Sequence, residues 1–355
     1  MQCLKVTVVV CTFNRAELLR AALTSLYALE TGGRLRYEVL VVDNASSDAT
    51  PEVIAQRCAA SPVPMRGVRE SRPGVAAARN RGIAAVETPW IAFFDDDQQA
   101  EPRWLLELAK AAEETGGLCL GGPAIPLLPP SCPAELVPAL QQLTMHPERY
   151  PTVHRCRRDT VMGTGNIMIH RDVFQRIGTF NETLREAGED SDLCWRMHEA
   201  GIELWHVPQA RVLHSIEPSR VEEPHLRWTA QRAGLNFARH DLKQFGALGL
   251  LTRAAGRLAL LLGVRLPRYL WAVLRRDAGE KLLLRCRVWR NKAYFRATLH
   301  LLAPALFPQR AFVAALDFRS ERDTPKNDFA ALGTGGSCSR SSDCAPRTAL
   351  ERSRS

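Results

Sequence analysis

Apolar positions along the first hundred residues switch between two periods, and the switches outline repeated strand–helix units. Residues 5–11, Lys-Val-Thr-Val-Val-Val-Cys, form an almost continuous β-branched run, the pattern of a strand covered on both faces. Asn14 is placed to cap a helix with the period Leu18, Leu19, Ala22, Leu23, Leu26, which Gly32-Gly33 would end. Residues 37–42 read as a second buried strand. A polar loop, Asp43-Asn44-Ala45-Ser46-Ser47-Asp48, leads through Thr50-Pro51 into a helix over Val53 and Ile54. Arg72-Pro73-Gly74, a helix over 76–86 and the apolar strand 90–94 complete a third unit. This alternation predicts an α/β fold with a doubly wound, mostly parallel sheet. Ligands on such sheets bind beyond the carboxyl ends of the strands. There the polar residues crowd: Thr12 and Asn14, Asp43 and Asn44, Asp95-Asp96-Asp97.

Further along, six prolines between 123 and 138 mark residues 121–160 as an irregular insertion. Regular structure is expected to resume at Gly163-Thr164-Gly165-Asn166, with a strand at 167–169, a helix at 171–177, a helix near 190–200 and a strand at 203–207. From about residue 225 the pattern is helical and basic. Residues 225–322 hold 19 Lys and Arg against five Asp and Glu, so this stretch alone carries +14 within a chain whose net charge is +9. The residues before it are therefore acidic on balance, which points to different partners for the two parts. Residues 323–355 lack any apolar period and read as a disordered tail. The expected organisation is a catalytic domain at 1–224, a basic helical extension at 225–322 and the tail at 323–355.

Length and composition exclude wholesale disorder, because 46% hydrophobic and 24% charged residues are ordinary globular values. The most apolar C-terminal run, residues 258–264, is seven residues between Arg257 and Arg265, whereas a membrane span needs about 20. No signal-peptide pattern opens the chain. The ten cysteines form no C-x-x-C pair, which predicts reduced thiols and a cytoplasmic setting.

Three acidic features carry candidate chemistry. Asp95-Asp96-Asp97 directly follows a hydrophobic strand, where adjacent carboxylates repel one another unless a cation or donors offset them. Oxygen ligands of this kind suit Mg²⁺ or Mn²⁺. Asp43, at its own strand end, is placed to accept hydrogen bonds from a ribose or base. Glu189-Asp190-Ser191-Asp192, behind Gly188, offers a carboxylate for general-base work as well as ordinary helix-start chemistry. Imidazole is a plausible extra ligand for Mn²⁺, and either His206 or His214 would serve. No G-x-G-x-x-G follows the first strand and no G-x-x-x-x-G-K-[ST] occurs, so ordinary Rossmann and P-loop chemistry lose support.

Taken in order, Cys11-Thr12-Phe13-Asn14-Arg15, Val41-Val42-Asp43-Asn44-Ala45-Ser46-Ser47-Asp48, Gly74 with Ala78-Arg79-Asn80-Arg81-Gly82, Phe94-Asp95-Asp96-Asp97 and Gly188-Glu189-Asp190-Ser191-Asp192 resemble the motifs of family 2 glycosyltransferases. The resemblance covers about residues 4–220. It implies a GT-A fold, a nucleotide-diphosphate-sugar donor, a divalent cation (Mg²⁺ or Mn²⁺) and inversion at the anomeric carbon. By position, Thr12, Asn14, Arg15, Asp43, Asn44, Arg79, Asp95 and Asp96 resemble donor contacts. Asp95 and Asp97, with His214, resemble metal ligands, and Asp190 resembles the catalytic base. The Q-x-x-R-W motif of processive synthases is missing and Trp195-Arg196 only echoes it, which favours transfer of a single sugar. The implied acceptor is a glycan or lipid-linked glycan of cell-surface polysaccharide synthesis.

Two rivals remain at this stage: a sugar-phosphate nucleotidyltransferase, and a nucleotide-sugar-binding protein without transferase activity. The first would carry a Gly-rich basic loop where this chain has Thr12-Phe13-Asn14-Arg15, and the second could dispense with Asp190. For the extension, leucines interleaved with arginines at 247–275 and 281–303 predict attachment to an anionic membrane surface, placing the protein peripherally on the inner face of the cell membrane. Sparse aromatics and the lack of a recognised motif argue against nucleic acid.

Overall fold

The near-continuous apolar runs form strands because both faces of their sheet are covered. In the computed structural model, which describes residues 3–144, 151–157, 160–184 and 188–308, the chain alternates β1 (Leu4–Thr12), α1 (Ala16–Tyr27), β2 (Leu35–Asp43), α2 (Thr50–Ala59), β3 (Met65–Arg69), α3 (Val75–Ala85) and β4 (Trp90–Asp95). There follow β5 (Gln98–Ala100), α4 (Trp104–Thr115), β6 (Cys119–Gly121), β7 (Ala124–Leu127), α5 (Val137–Thr144), β8 (His154–Arg155) and β9 (Asn166–His170). Next come α6 (Arg171–Ile177), α7 (Glu189–Glu199), β10 (Leu204–His206) and β11 (Val212–Ser215).

The main sheet has the order β3-β2-β1-β4-β9-β6-β10-β8. The units β1–β4 pair in parallel, as the alternation predicts, whereas β9 runs antiparallel between β4 and β6. Successive residues of β1 point to opposite faces. Val6, Val8 and Val10 pack with Leu19 and Leu23 of α1 and Leu105 of α4, and Val9 packs on the other face with Ala78 of α3. Each such fully buried Val or Leu contributes about 1.5–3 kcal/mol of transfer free energy. The parallel register then brings Thr12 beside Asp43, and Cys11 beside Asp95, at the carboxyl edge.

Several sequence expectations need correction. Asn14 does not cap α1: its φ is +52°, and its side-chain oxygen accepts from the amides of Ser47 and Asp48, tying two loops together. Gly32-Gly33 does not end that helix, which stops at Tyr27; the glycines turn the chain into β2 with φ of +54° and +67°. The proline-rich insertion is not irregular throughout, since it holds β7, α5 and β8. Pro126 is tolerated because β7 is an edge strand, and Pro138 sits in the first turn of α5, where no intrahelical N–H is needed. Residues 145–150, 158–159, 185–187 and the expected tail at 323–355 lie outside the described residues.

A second sheet, β5-β11-β7, lies next to the end of β4. β5 leaves directly after Asp97 and pairs antiparallel with β11, which sets His214 opposite Gln98. Past β11 the chain becomes helical: α8 (Glu223–Leu260, broken at Gly246), a π turn (Leu261–Arg265), α9 (Leu266–Leu274) and α10 (Ala278–Leu302). The early part of α8 packs against α7, with Trp195 stacked on His240 at 3.9 Å and Lys243 paired with Glu199. The seven-residue apolar run is thus part of a longer continuous helix. Residues Glu223–Leu274 are long and apolar enough to cross a membrane by length and composition, with a mean hydropathy of 1.5 over 18 residues of which 6% are buried.

Candidate active site

Three strand ends and one helix start bring the acidic residues together. Arg79, on α3, is the junction. Its guanidinium is buried, donates to Glu189 Oε1 and Asp190 Oδ1 at 2.9 Å each, and lies 3.6 Å from Asp95 Oδ1. Burial works against its charge, but Asp190, Asp95 and Glu189 hold it above the ordinary arginine value. Thr164 adds a 2.6 Å hydrogen bond from its hydroxyl to Asp190 Oδ1. Asp190 Oδ2 is left with only a long 3.5 Å contact from the Thr164 amide. The carboxylate is therefore oriented through one oxygen while the other stays available.

Asp190 reaches this place because α7 starts at Gly188, whose φ of +111° a side-chain-bearing residue adopts only with strain. A Cβ there would also stand 3.0 Å from Asn236 of α8. Glu189 is buried beside Asp190, and burial, followed by the Asp190 charge, raises its carboxyl above the usual range.

The acidic run divides its work. Asp96 and Asp97 are buried and share the Arg15 guanidinium, at 2.9 and 3.0 Å. Burial pushes Asp96 up to about 6 against the pull of Arg15. Burial would do the same to Asp97, but His214, Arg220 and Arg15 hold it well below the usual carboxylate range. Asp97 Oδ2 meets Arg220 at 3.1 Å, and Asp97 Oδ1 lies 3.3 Å from His214 Nε2. Asp95 is the exposed member, its side chain 41% accessible, with Oδ2 pressed against the backbone at Gly165.

A Cβ at Gly165 would fall 2.2 Å from that oxygen and 2.6 Å from Gln98 Nε2. Gly165→Ala is therefore expected to displace the Asp95 carboxylate and lower turnover by about 10²-fold, the usual cost of misplacing a reacting group by an ångström. A steady-state rate within a few-fold of wild type would show that Asp95 has no fixed part in the reaction.

The remaining sequence-singled residues form the wall of this edge. Thr12 is buried at the end of β1. Asp43 accepts from the Ser46 amide at 2.9 Å and lies 3.6 Å from Arg69. Asn44 accepts from the Gly74 amide and donates to the Glu70 and Arg72 carbonyls, so it fixes loops rather than facing outward. The two histidines now separate: His214 is at Asp97, whereas His206 packs its ring against His154 at 5.3 Å. Trp195 and Arg196 serve the scaffold, Arg196 bonding Asp192 and the carbonyls of Ile177 and Thr179. Cys11 offers no nucleophile, since burial pushes its thiol to about 12.

Sequence reasoning missed Thr164, Arg220 and the pairing of Glu189 with Arg79. Thr164 stood inside the noted Gly-Thr-Gly-Asn turn, while nothing in the stretch around Arg220 signalled its partner 123 residues earlier.

The architecture is that of the GT-A fold. A mannosyltransferase from Pyrobaculum calidifontis, solved in complex with GDP-Man and Mn²⁺, superposes with a TM-score of 0.57 over 84% of this chain and 88% of that one, at 18% identity, a likeness of fold. Residues 7–178, just under half of the chain, match Glycosyl transferase family 2. Among curated relatives, the pre-mycofactocin glycosyltransferase of Mycobacterium tuberculosis strain H37Rv is 30% identical over 220 residues, 59% of this chain and 42% of that protein. The succinoglycan biosynthesis protein ExoM of Rhizobium meliloti is 27% identical over 231 residues, 64% and 72% of the two chains. The match thus spans less than half the length of the mycobacterial relative.

Proposed function

We propose that the protein transfers one sugar from a nucleotide-diphosphate-sugar to an acceptor hydroxyl, with inversion, and that residues 1–224 carry this activity. The observation that carries the reading is Asp190, held through Oδ1 by Arg79 and Thr164 with Oδ2 available, beside the Asp95–Asp97 strand end. Asp190 takes the acceptor proton as the acceptor oxygen attacks C1. One carboxylate base suffices for a single displacement, whereas glycoside hydrolysis uses two. Thr12, Asn14, Arg15, Asp43, Asn44, Arg79, Asp95 and Asp96 form the donor-binding edge. Asn14 and Asn44 do so indirectly, by holding the loops that carry it.

Among the described residues no three acidic, His or Cys ligands are gathered as a formed metal site, but Asp97 Oδ1 is buried without a hydrogen-bond partner beside the His214 imidazole, which supports a cation held there with Asp95. Asp95, Asp97 and His214 would hold Mg²⁺ or Mn²⁺, which when bound supplies Lewis-acid neutralisation of the diphosphate. Arg15 and Arg220 keep Asp97 ionised for that task. The acceptor in this reading is a glycan or lipid-linked glycan of polysaccharide synthesis, in keeping with the relationship to the succinoglycan protein. A panel of UDP-, GDP- and dTDP-sugars with metal present tests the function. Product from none of them, together with nucleotide-sugar binding, would favour the non-catalytic binder.

We further propose that residues 225–322 attach the protein to an anionic membrane surface. Leu262, Leu266 and Leu270 recur at i, i+4 and i+8 and are exposed, as are Trp271 and Leu274 at 59% and 76%. Arg253, Arg257, Arg265 and Arg268 interrupt the apolar segment, and an arginine at a bilayer centre costs about 2.5–3.5 kcal/mol on insertion scales. Lying in the interface avoids that cost. In the full chain, changing Leu262, Leu266 and Leu270 together to glutamate is expected to abolish flotation with phosphatidylcholine–phosphatidylglycerol vesicles at low salt. Unchanged flotation of that variant would remove the attachment surface from these helices.

A further inference from the structure

Away from the donor site, unneutralised charge gathers where α8, the π turn and α10 meet. On α10, Arg287, Arg290, Asn291 and Tyr294 fall at i, i+3, i+4 and i+7, so they line one stripe. Tyr294 fixes the direction of that stripe, since its hydroxyl donates to Asp241 of α8 at 2.7 Å and the Arg257 guanidinium lies 4.3 Å over its ring. Arg265 joins from the π turn. Burial, then the charges of Arg265, Arg257 and Arg287, depress Arg290 below its ordinary value, and burial, Arg287 and Arg257 do the same to Arg265. Asp241 reaches Arg257 at 3.7 Å and Arg253 at 3.8 Å, but among the described residues no carboxylate lies within 4 Å of Arg265, Arg287 or Arg290.

Unmet hydrogen-bonding capacity collects at the same place. Among the described residues, Asn291 is fully buried with neither end of its amide partnered, and Arg265 Nη1 and Arg290 Nε are likewise buried without acceptors. Buried polar groups are normally satisfied, and several orphans within one cluster of like charge point to an absent anion. The acceptor that matches converging guanidinium forks is a tetrahedral oxyanion with several oxygens. We propose that Arg257, Arg265, Arg287, Arg290 and Asn291 form a binding site for a phosphate group, separate from the donor site. Exposed Leu262 and Leu266 on the adjoining turns place apolar surface beside it, which suits a phosphate carried on a lipid.

Three measurements on the full chain test this. Inorganic phosphate is expected to raise the thermal midpoint relative to chloride at equal ionic strength. Phosphatidylcholine vesicles bearing phosphatidate are expected to bind the protein more tightly than vesicles made equally negative with oleate, which offers carboxylate only. Arg265→Gln with Arg290→Gln should weaken both responses by about tenfold or more, the scale of losing charge-assisted hydrogen bonds, while Arg275→Gln with Arg276→Gln leaves them intact. Because the first pair also relieves like-charge repulsion, its midpoint in chloride should not fall below wild type; should it fail to fold, Arg287→Gln carries the same comparison. A phosphate response with no preference for phosphatidate upholds the site with a free phosphate as its ligand. The proposal is overturned if phosphate acts like chloride and phosphatidate like oleate, or if the two double variants lose binding equally.

Discussion

Asp190→Asn lowers the rate of sugar transfer by about 10²–10⁴-fold, the worth of a general base, and leaves donor affinity near wild type. The expectation rests on how the carboxylate is held. Asp190 Oδ1 takes the Arg79 guanidinium and the Thr164 hydroxyl, and an asparagine oxygen can keep both contacts. What the amide cannot do is accept a proton on the side where Oδ2 stands available. Arg79 also retains Glu189 at 2.9 Å and Asp95 at 3.6 Å, so the buried guanidinium is not left uncompensated. Donor affinity is read by calorimetry with the nucleotide-sugar, and turnover by nucleoside diphosphate release. A parallel collapse of donor affinity would assign Asp190 to binding or to the scaffold and defeat its role as base.

The strands of this fold were legible wherever burial on both faces wrote a continuous apolar run, as at residues 5–11 and 90–94. The parallel register then follows, and with it the meeting of Thr12, Asp43 and Asp95 at one edge. What the chain did not announce is set by long-range pairing. His214 meets Asp97 only because β5 and β11 pair antiparallel, and no local signal distinguishes it from His206. Arg79 was marked by the resemblance only as a donor contact, and its burial among Asp95, Glu189 and Asp190, which joins the acidic residues, carries no local signal. The prolines of the insertion suggested an irregular backbone path. An edge strand and a first helical turn accommodate them without loss of regular structure, because neither position requires the missing N–H. The C-terminal helices were legible as basic and amphipathic, but the helical path from the break at Gly246 through residues 247–274 was not, since charges divide the apolar runs in sequence while the helix carries on through them.

Asp97→Asn has the other large expected effect: transfer is abolished and donor binding sharply weakened, because an amide does not replace a carboxylate on a hard cation. The substitution also removes the negative charge shared by Arg15 at 3.0 Å, Arg220 at 3.1 Å and His214 at 3.3 Å. Breaking a fully buried pair costs about 3–5 kcal/mol; here Arg15 keeps Asp96, and the two guanidinia are 28% and 19% exposed, so the loss falls below that range. The variant should therefore stay folded at 25 °C, with a lower thermal midpoint, and its inactivity can be read as loss of a ligand. Chelation of wild type supplies the independent arm. A metal-dependent enzyme loses activity in chelator and regains it on adding Mn²⁺ or Mg²⁺, whereas Asp97→Asn does not respond to either ion. Full activity of Asp97→Asn would remove Asp97 from the reaction altogether. An inactive Asp97→Asn beside a fully active chelated wild type would instead move neutralisation of the leaving diphosphate to Arg15 and Arg220. The two guanidinia already converge on this carboxylate and would be left misdirected without it.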